Sequence, residues 1–259
     1  MIDLHLHLDG SLTPQDAVYL AEIQNIDLKY DSSEQLKAMM KAPDECKSLN
    51  EYLERFTLPV SLLQSAESIY YAVKSIAGRL DRQGLVYAEI RFAPQLHTKQ
   101  GMSQRQAVKA AAEAIKKVNS ESESLIMAQL ILCCMRGDDN FKENMETVET
   151  AAEFLGNGVC ALDLAGAEAL YETRAFSDIF KYASNLKIPF TIHAGEAAGP
   201  LNIWQALELG AARIGHGVTC VKDEKLVDEL ISRKIPLEMC ITSNVQTKAV
   251  QKLSEHPVY

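Results

Sequence analysis

Three stretches of this chain set histidine among residues that could do metal or acid–base chemistry. His5 and His7 lie in IDLHLHLDG, His193 in TIHAGE and His216 in RIGHG. Neutral imidazoles suit Zn²⁺, and catalytic zinc typically takes three protein ligands and a water. Two residues apart on a strand, His5 and His7 point to one face. Taken alone, that pair reads more simply as core or surface histidines than as a metal site. Glu196 follows His193 by three residues and could reach a substrate from the same turn. Alone, it reads more simply as a helix-start carboxylate, because Gly199-Pro200 follows and a helix begins near Asn202. Gly215 and Gly217 flank His216, allowing close approach to a ligand or simply a tight turn.

The elements that must position these residues follow from hydrophobic patterning. Apolar runs recur at 2–7, 86–92, 125–132, 159–164, 190–193, 213–216 and 237–239. Helical periodicity fills the gaps. In Ser103–Val118, Ala107, Val108, Ala111, Ile115 and Val118 share a face behind a Ser103/Gln106 capping box. Thr13-Pro14 reads as an N-cap with proline at the first helical position. Phe176, Ile179, Phe180 and Ala183 mark another helix. Strands alternating with such helices imply βαβ units and a parallel sheet, here an α/β TIM-type (β/α)₈ barrel. In such a barrel the strands' C-terminal ends gather on one face, where barrel enzymes build their sites. His-x-His, His-x-x-Glu and Gly-His-Gly each close a strand, so together they point to a metal-assisted hydrolase.

Between the first two runs lie roughly 80 residues, more than one crossover helix needs; long insertions of this kind are commonly lids or binding walls. Ala17–Gln24, Ser33–Met40 and Leu49–Leu63 read as extra helices within an insertion spanning 11–84. With no repeat or linker in sight, residues 1–259 read as one domain. Lys248–Tyr259 reads as a helix followed by a loop at His256-Pro257.

The net charge of -9 gives no excess of cations for phosphate, which argues against a nucleic-acid or anionic-membrane binder. No apolar stretch approaches the roughly 18 residues that span a bilayer, and no signal peptide is visible. Six cysteines without a C-x-x-C, mostly in apolar runs, fit reduced thiols in a cytoplasm. Oligomeric state stays open.

HLHLDGSL, VYAEIRFAPQ, LDLAGAE, TIHAGEAAGP, RIGHGV and MCITSN, in that order and spacing, resemble the adenosine deaminase family of metal-dependent amidohydrolase barrels. The resemblance runs from Ile2 to about His256. It implies zinc held by His5, His7 and His193, and Glu196 as proton donor to N1 of the purine. It implies that His216 orients and deprotonates the attacking water. Gly166 would offer its backbone N–H to the purine, Asp9 would contact the ribose, and His7 would lie beside the substrate. An aspartate at position 9 favours a nucleoside over a free base. The insertion would close over a small purine nucleoside, with no nucleic acid and no membrane involved. Ser243-Asn244 match the family without an assigned role.

The family's adjacent aspartate pair on the eighth strand does not follow Met239 here. On the family pattern the last strand and helix would lie beyond Tyr259, leaving the first and seventh strands with open edges. The implied activity is hydrolytic deamination of adenosine, and of deoxyadenosine, to inosine and ammonia. Two alternatives stand beside it: a deaminase of a related adenine compound, and a non-catalytic zinc- or nucleoside-binding remnant.

Other polar residues have plainer readings. Glu89 and Arg91 read as an interior ion pair, His97 as a solvated loop residue, and Trp204 as core. Asp163 reads equally as a site contact or a loop tie, and Asp138-Asp139 as a turn or cap.

Overall fold

The apolar runs become seven strands: β1 (Ile2–His7), β2 (Tyr87–Phe92), β3 (Met127–Met135), β4 (Val159–Ala165), β5 (Thr191–Ala194), β6 (Arg213–His216) and β7 (Leu237–Glu238). The structure is a computed structural model that describes residues 1–43, 46, 48–121 and 124–258. Strand order is β1-β2-β3-β4 in one sheet and β5-β6-β7 in a second. β1 pairs in parallel with β2, β2 with β3, β5 with β6 and β6 with β7. Parallel neighbours need crossovers, and helices supply them. Among the described residues these are α1 (Pro14–Ile23), α2 (Ser33–Met40), α3 (Leu49–Leu53), α4 (Thr57–Leu62), α5 (Ala66–Arg82), α6 (Gln104–Asn119), α7 (Phe141–Phe154), α8 (Ser177–Asn185), α9 (Pro200–Leu209), α10 (Glu224–Arg233) and α11 (Ile241–Gln246). None is long and apolar enough to cross a membrane.

The chain divides into two compact units. The first comprises 1–43, 53–132 and 153–160. Here α5 packs on α6. Ile69, Ala72, Val73, Ile76 and Ala77 of α5 are buried, as are Ala107, Val108, Ala111, Ile115 and Val118 of α6. Both helices start from capping boxes, Ser65 with Ser68 and Ser103 with Gln106. A third box, Thr13 with Asp16, opens α1. Asp16 also receives Arg79 at 2.7 Å and Ser75 at 2.6 Å, tying α1 to α5. His97 is fully buried rather than solvated. It ends a 3-10 turn, Pro94–His97, and its Nδ1 lies 2.9 Å from the Leu63 carbonyl, which draws the ring inward. Burial pushes its pKa down to about 4.

The second unit comprises 44–52, 133–152 and 161–259. Leu162 of β4 bridges in parallel to Phe190, just before β5. Asp223 caps α10, and its other carboxylate oxygen accepts the Trp204 indole N–H at 2.9 Å, joining α9 to α10. Among the described residues, the helix expected from Lys248 is absent. The helix lies earlier, at α11, and ends because Lys248 takes a left-handed φ of 63° and the Val250 N–H turns back to the Asn244 carbonyl. A short 3-10 turn, Leu253–Glu255, precedes His256-Pro257. None of the six cysteines is joined in a disulfide.

Candidate active site

In the first unit, β1 carries His5 and His7. A register shift against β2 lies between Asp3 and Leu6, and the Asp3 carboxylate accepts the His5 backbone N–H at 2.9 Å. The two imidazoles sit on one side of the strand, ring centroids 5.5 Å apart, with Phe56 edge-on to His7 at 6.2 Å. Asp9 opens a 3-10 turn, Asp9–Ser11, and is buried. Burial raises its carboxyl to about 6, although it accepts the Gly10 N–H at 3.0 Å.

In the second unit, β5 and β6 set His193 and His216 at neighbouring strand ends. Ala194 pairs with His216 and His193 with Gly215, and the two imidazole centroids lie 5.1 Å apart. His193 Nδ1 contacts the Asp163 carboxylate at 2.8 Å, so a metal would be taken at Nε2. Asp163, in β4, is fully buried with its carboxylate against His193 Nδ1. His216 is itself left-handed at φ 64°, a strain of order 1–3 kcal/mol in a non-glycine residue. Its Nδ1 lies 2.8 Å from the Asn244 amide, and Asn244 Oδ1 lies 3.1 Å from His256 Nε2. With Nδ1 so engaged, Nε2 is the ring nitrogen that faces Glu196 Oε2, 3.4 Å away.

Glu196 stands on a buried turn just past β5. The turn is possible because Gly195 takes φ 75°; a Cβ there would meet Ile203 Cδ1 at 2.4 Å. The Thr247 hydroxyl lies 3.1 Å from Glu196 Oε1 and 2.9 Å from the Ser243 carbonyl. Burial, more than any neighbour, pushes the Glu196 carboxyl up to about 7; His193 and Thr247 pull it down and Glu168 adds a small upward push. A neutral Glu196 suits this setting: its O–H can donate to Thr247 Oγ1, whose own proton then goes to Ser243.

Several contributors carry no sequence signal that singles them out. Glu168, within LDLAGAE, accepts four consecutive backbone N–H groups, from Gly195 (2.6 Å), Glu196 (2.9 Å), Ala197 (2.7 Å) and Ala198 (3.3 Å), and the Asn202 amide at 3.1 Å. Each buried N–H left unpaired would cost about 1–3 kcal/mol. Arg136 donates to the carbonyls of Tyr171 (2.6 Å) and His193 (2.7 Å) and to Thr173 Oγ1 (3.0 Å). Burial draws its guanidinium down to about 10, against the upward pull of Glu168 and Asp163. Tyr52, on α3, is raised chiefly by burial; its hydroxyl bonds Ser243 and feels the charge of Glu196. Gly166, unlike these, is singled out in the sequence; with φ 107° it turns the chain out of β4 toward Glu168.

This order of strand-end residues agrees with a known family. The sequence profile described as adenosine deaminase matches residues 1–259. The chain belongs to the adenosine deaminase family. An adenosine deaminase of Haemophilus ducreyi is 50% identical over 100% of this chain and 76% of its own length. The crystal structure of an adenine deaminase from Arthrobacter aurescens is 28% identical, with a TM-score of 0.89 over 99% of this chain and 76% of that one. An amidohydrolase structure from Burkholderia ambifaria with bound Zn is 18% identical with a TM-score of 0.85, over 99% of this chain and 70% of that one, and shares the fold. The fold is thus an α/β TIM-type barrel, shared with these structures.

Proposed function

We propose that this enzyme deaminates adenosine hydrolytically, giving inosine and ammonia. One observation carries the mechanism: a buried carboxyl, Glu196, raised to about 7 beside His216 Nε2. The 50% identity to an adenosine deaminase supports the substrate. The same activity would take 2'-deoxyadenosine.

Zn²⁺ fits the donor chemistry, with His5, His7 and His193 as ligands; the Asp163 contact to His193 Nδ1 is of the kind that orients zinc-bound imidazoles. Bound zinc supplies a nucleophilic water near neutral pH. The protein does the rest. His216, through Nε2, would orient the attacking water against C6 of the purine and take its proton. Glu196, neutral before the reaction, gives its proton to N1, so negative charge does not build on the ring. The Gly166 N–H binds the purine, Asp9 the ribose, and His7 flanks the substrate. Helices of the 11–84 segment cover the nucleoside. The amino group would then leave as ammonia by taking the proton held on His216, and the proton of the new C6 hydroxyl would return to Glu196 as inosine forms. The reaction uses a small molecule and suits a cytoplasmic enzyme.

A second reading comes from the adenine deaminase neighbour: the free base as substrate. Asp9 in place of a glutamate favours the nucleoside. The test follows the ultraviolet change of adenosine and of adenine with purified chain, alongside metal analysis. Turnover of adenosine, abolished by Glu196→Ala, is expected. Adenine turning over instead would establish the second reading. Bound zinc without turnover of either would leave a binding protein.

A further inference from the structure

We propose that Glu168 is a positioning residue for the reaction: its carboxylate organises the Gly195–Ala198 turn and thereby fixes Glu196 relative to His216. The inference rests on Glu196 being the proton donor.

Four successive N–H groups converge on one carboxylate in a turn that lies outside any helix or strand. The turn leads from β5 into α9, with Gly195 and Glu196 buried. Two of its carbonyls are engaged by Thr219: Gly195 O accepts the Thr219 N–H at 3.0 Å and Ala198 O the Thr219 hydroxyl at 3.1 Å. Its N–H groups all go to Glu168, one oxygen taking Gly195 and Asn202, the other taking residues 196, 197 and 198. The Glu168 carboxylate therefore sets the backbone from which the Glu196 side chain departs. Asn202 extends the tie, because its Oδ1 accepts the Thr173 N–H at 3.2 Å. A buried polar cluster of this kind fixes one conformation only when every member is satisfied.

A scaffold role alone would lower stability and leave the chemistry intact once the protein is folded. A positioning role makes turnover depend on Glu168 only through Glu196. Glutamine at 168 keeps the shape but turns an N–H₂ toward N–H donors. In Glu168→Gln, kcat for adenosine should fall at least tenfold with KM within threefold. In a Glu196→Gln background the same change should leave residual kcat within twofold. Losses that multiply in the double variant, or a rise in KM with kcat kept, would overturn the proposal. If Glu168→Gln does not fold, hydrogen exchange on the unmodified protein decides. The amides of 195–198 should exchange far more slowly than free-peptide amides, and exchange at free-peptide rates would show that no clamp exists. Full turnover by Glu196→Gln alone would remove the proton-donor assignment while leaving the exchange result standing, so the two failures are distinct.

Discussion

Glu168 and Glu196 are the same residue type, buried to nearly the same degree, at 3% and 7% exposure, and joined by one turn. They are nonetheless built for opposite ends. Glu168 faces five N–H donors, which suit an acceptor with two oxygens. Glu196 faces a hydroxyl that can accept as well as donate, and burial holds its carboxyl near 7. Burial alone does not decide what a buried carboxyl does; the donor count around it does.

The sharpest way to break the contrast is Glu196→Gln. It removes the transferable proton and should lower kcat about 10³-fold, with KM nearly unchanged, by the ultraviolet assay. Next comes the turn between the two carboxyls. Gly195→Ala forces a side chain into φ 75° and onto Ile203, so urea unfolding should show a loss of about 3 kcal/mol. Adding Ile203→Val should return part of it, by relieving the contact and not the backbone.

A buried neutral group away from the site extends the comparison. His97 has a folded pKa of about 4 against about 6.5 unfolded. Its contribution is present above pH 6.5 and is lost as pH falls toward 4, because the unfolded chain then binds the extra proton; the full effect is about 3 kcal/mol. His97→Gln should flatten stability between those pH values, read from urea midpoints. The smallest effect belongs to Thr247→Val. It strips the hydroxyl from Glu196, worth about 1 kcal/mol, and should lower kcat roughly fivefold without changing zinc content.

Periodicity made the strands and the ends that carry His5, His7, His193, Glu196 and His216 readable in the sequence. It also placed α6 from its apolar stripe and cap. The partners were not readable. Glu168 meets the 195–198 turn across 27 residues or more, and no local pattern announces a carboxylate that accepts N–H groups. Thr247 reaches Glu196 across 51 residues. His97 looked like a polar loop residue because the carbonyl that draws it in belongs to Leu63. The helix misplaced at Lys248 turned on a left-handed φ that a lysine does not advertise.

Trp204 is the chain's single tryptophan, two residues beyond Asn202 and bonded to Asp223. Its emission is therefore a built-in reporter on one place, the α9–α10 junction behind the Glu196 turn. Fluorescence followed during denaturation registers the fate of the second unit, whereas far-ultraviolet dichroism sums the helices of both. Whether those two curves coincide measures how cooperatively the chain melts, without a label or a substitution.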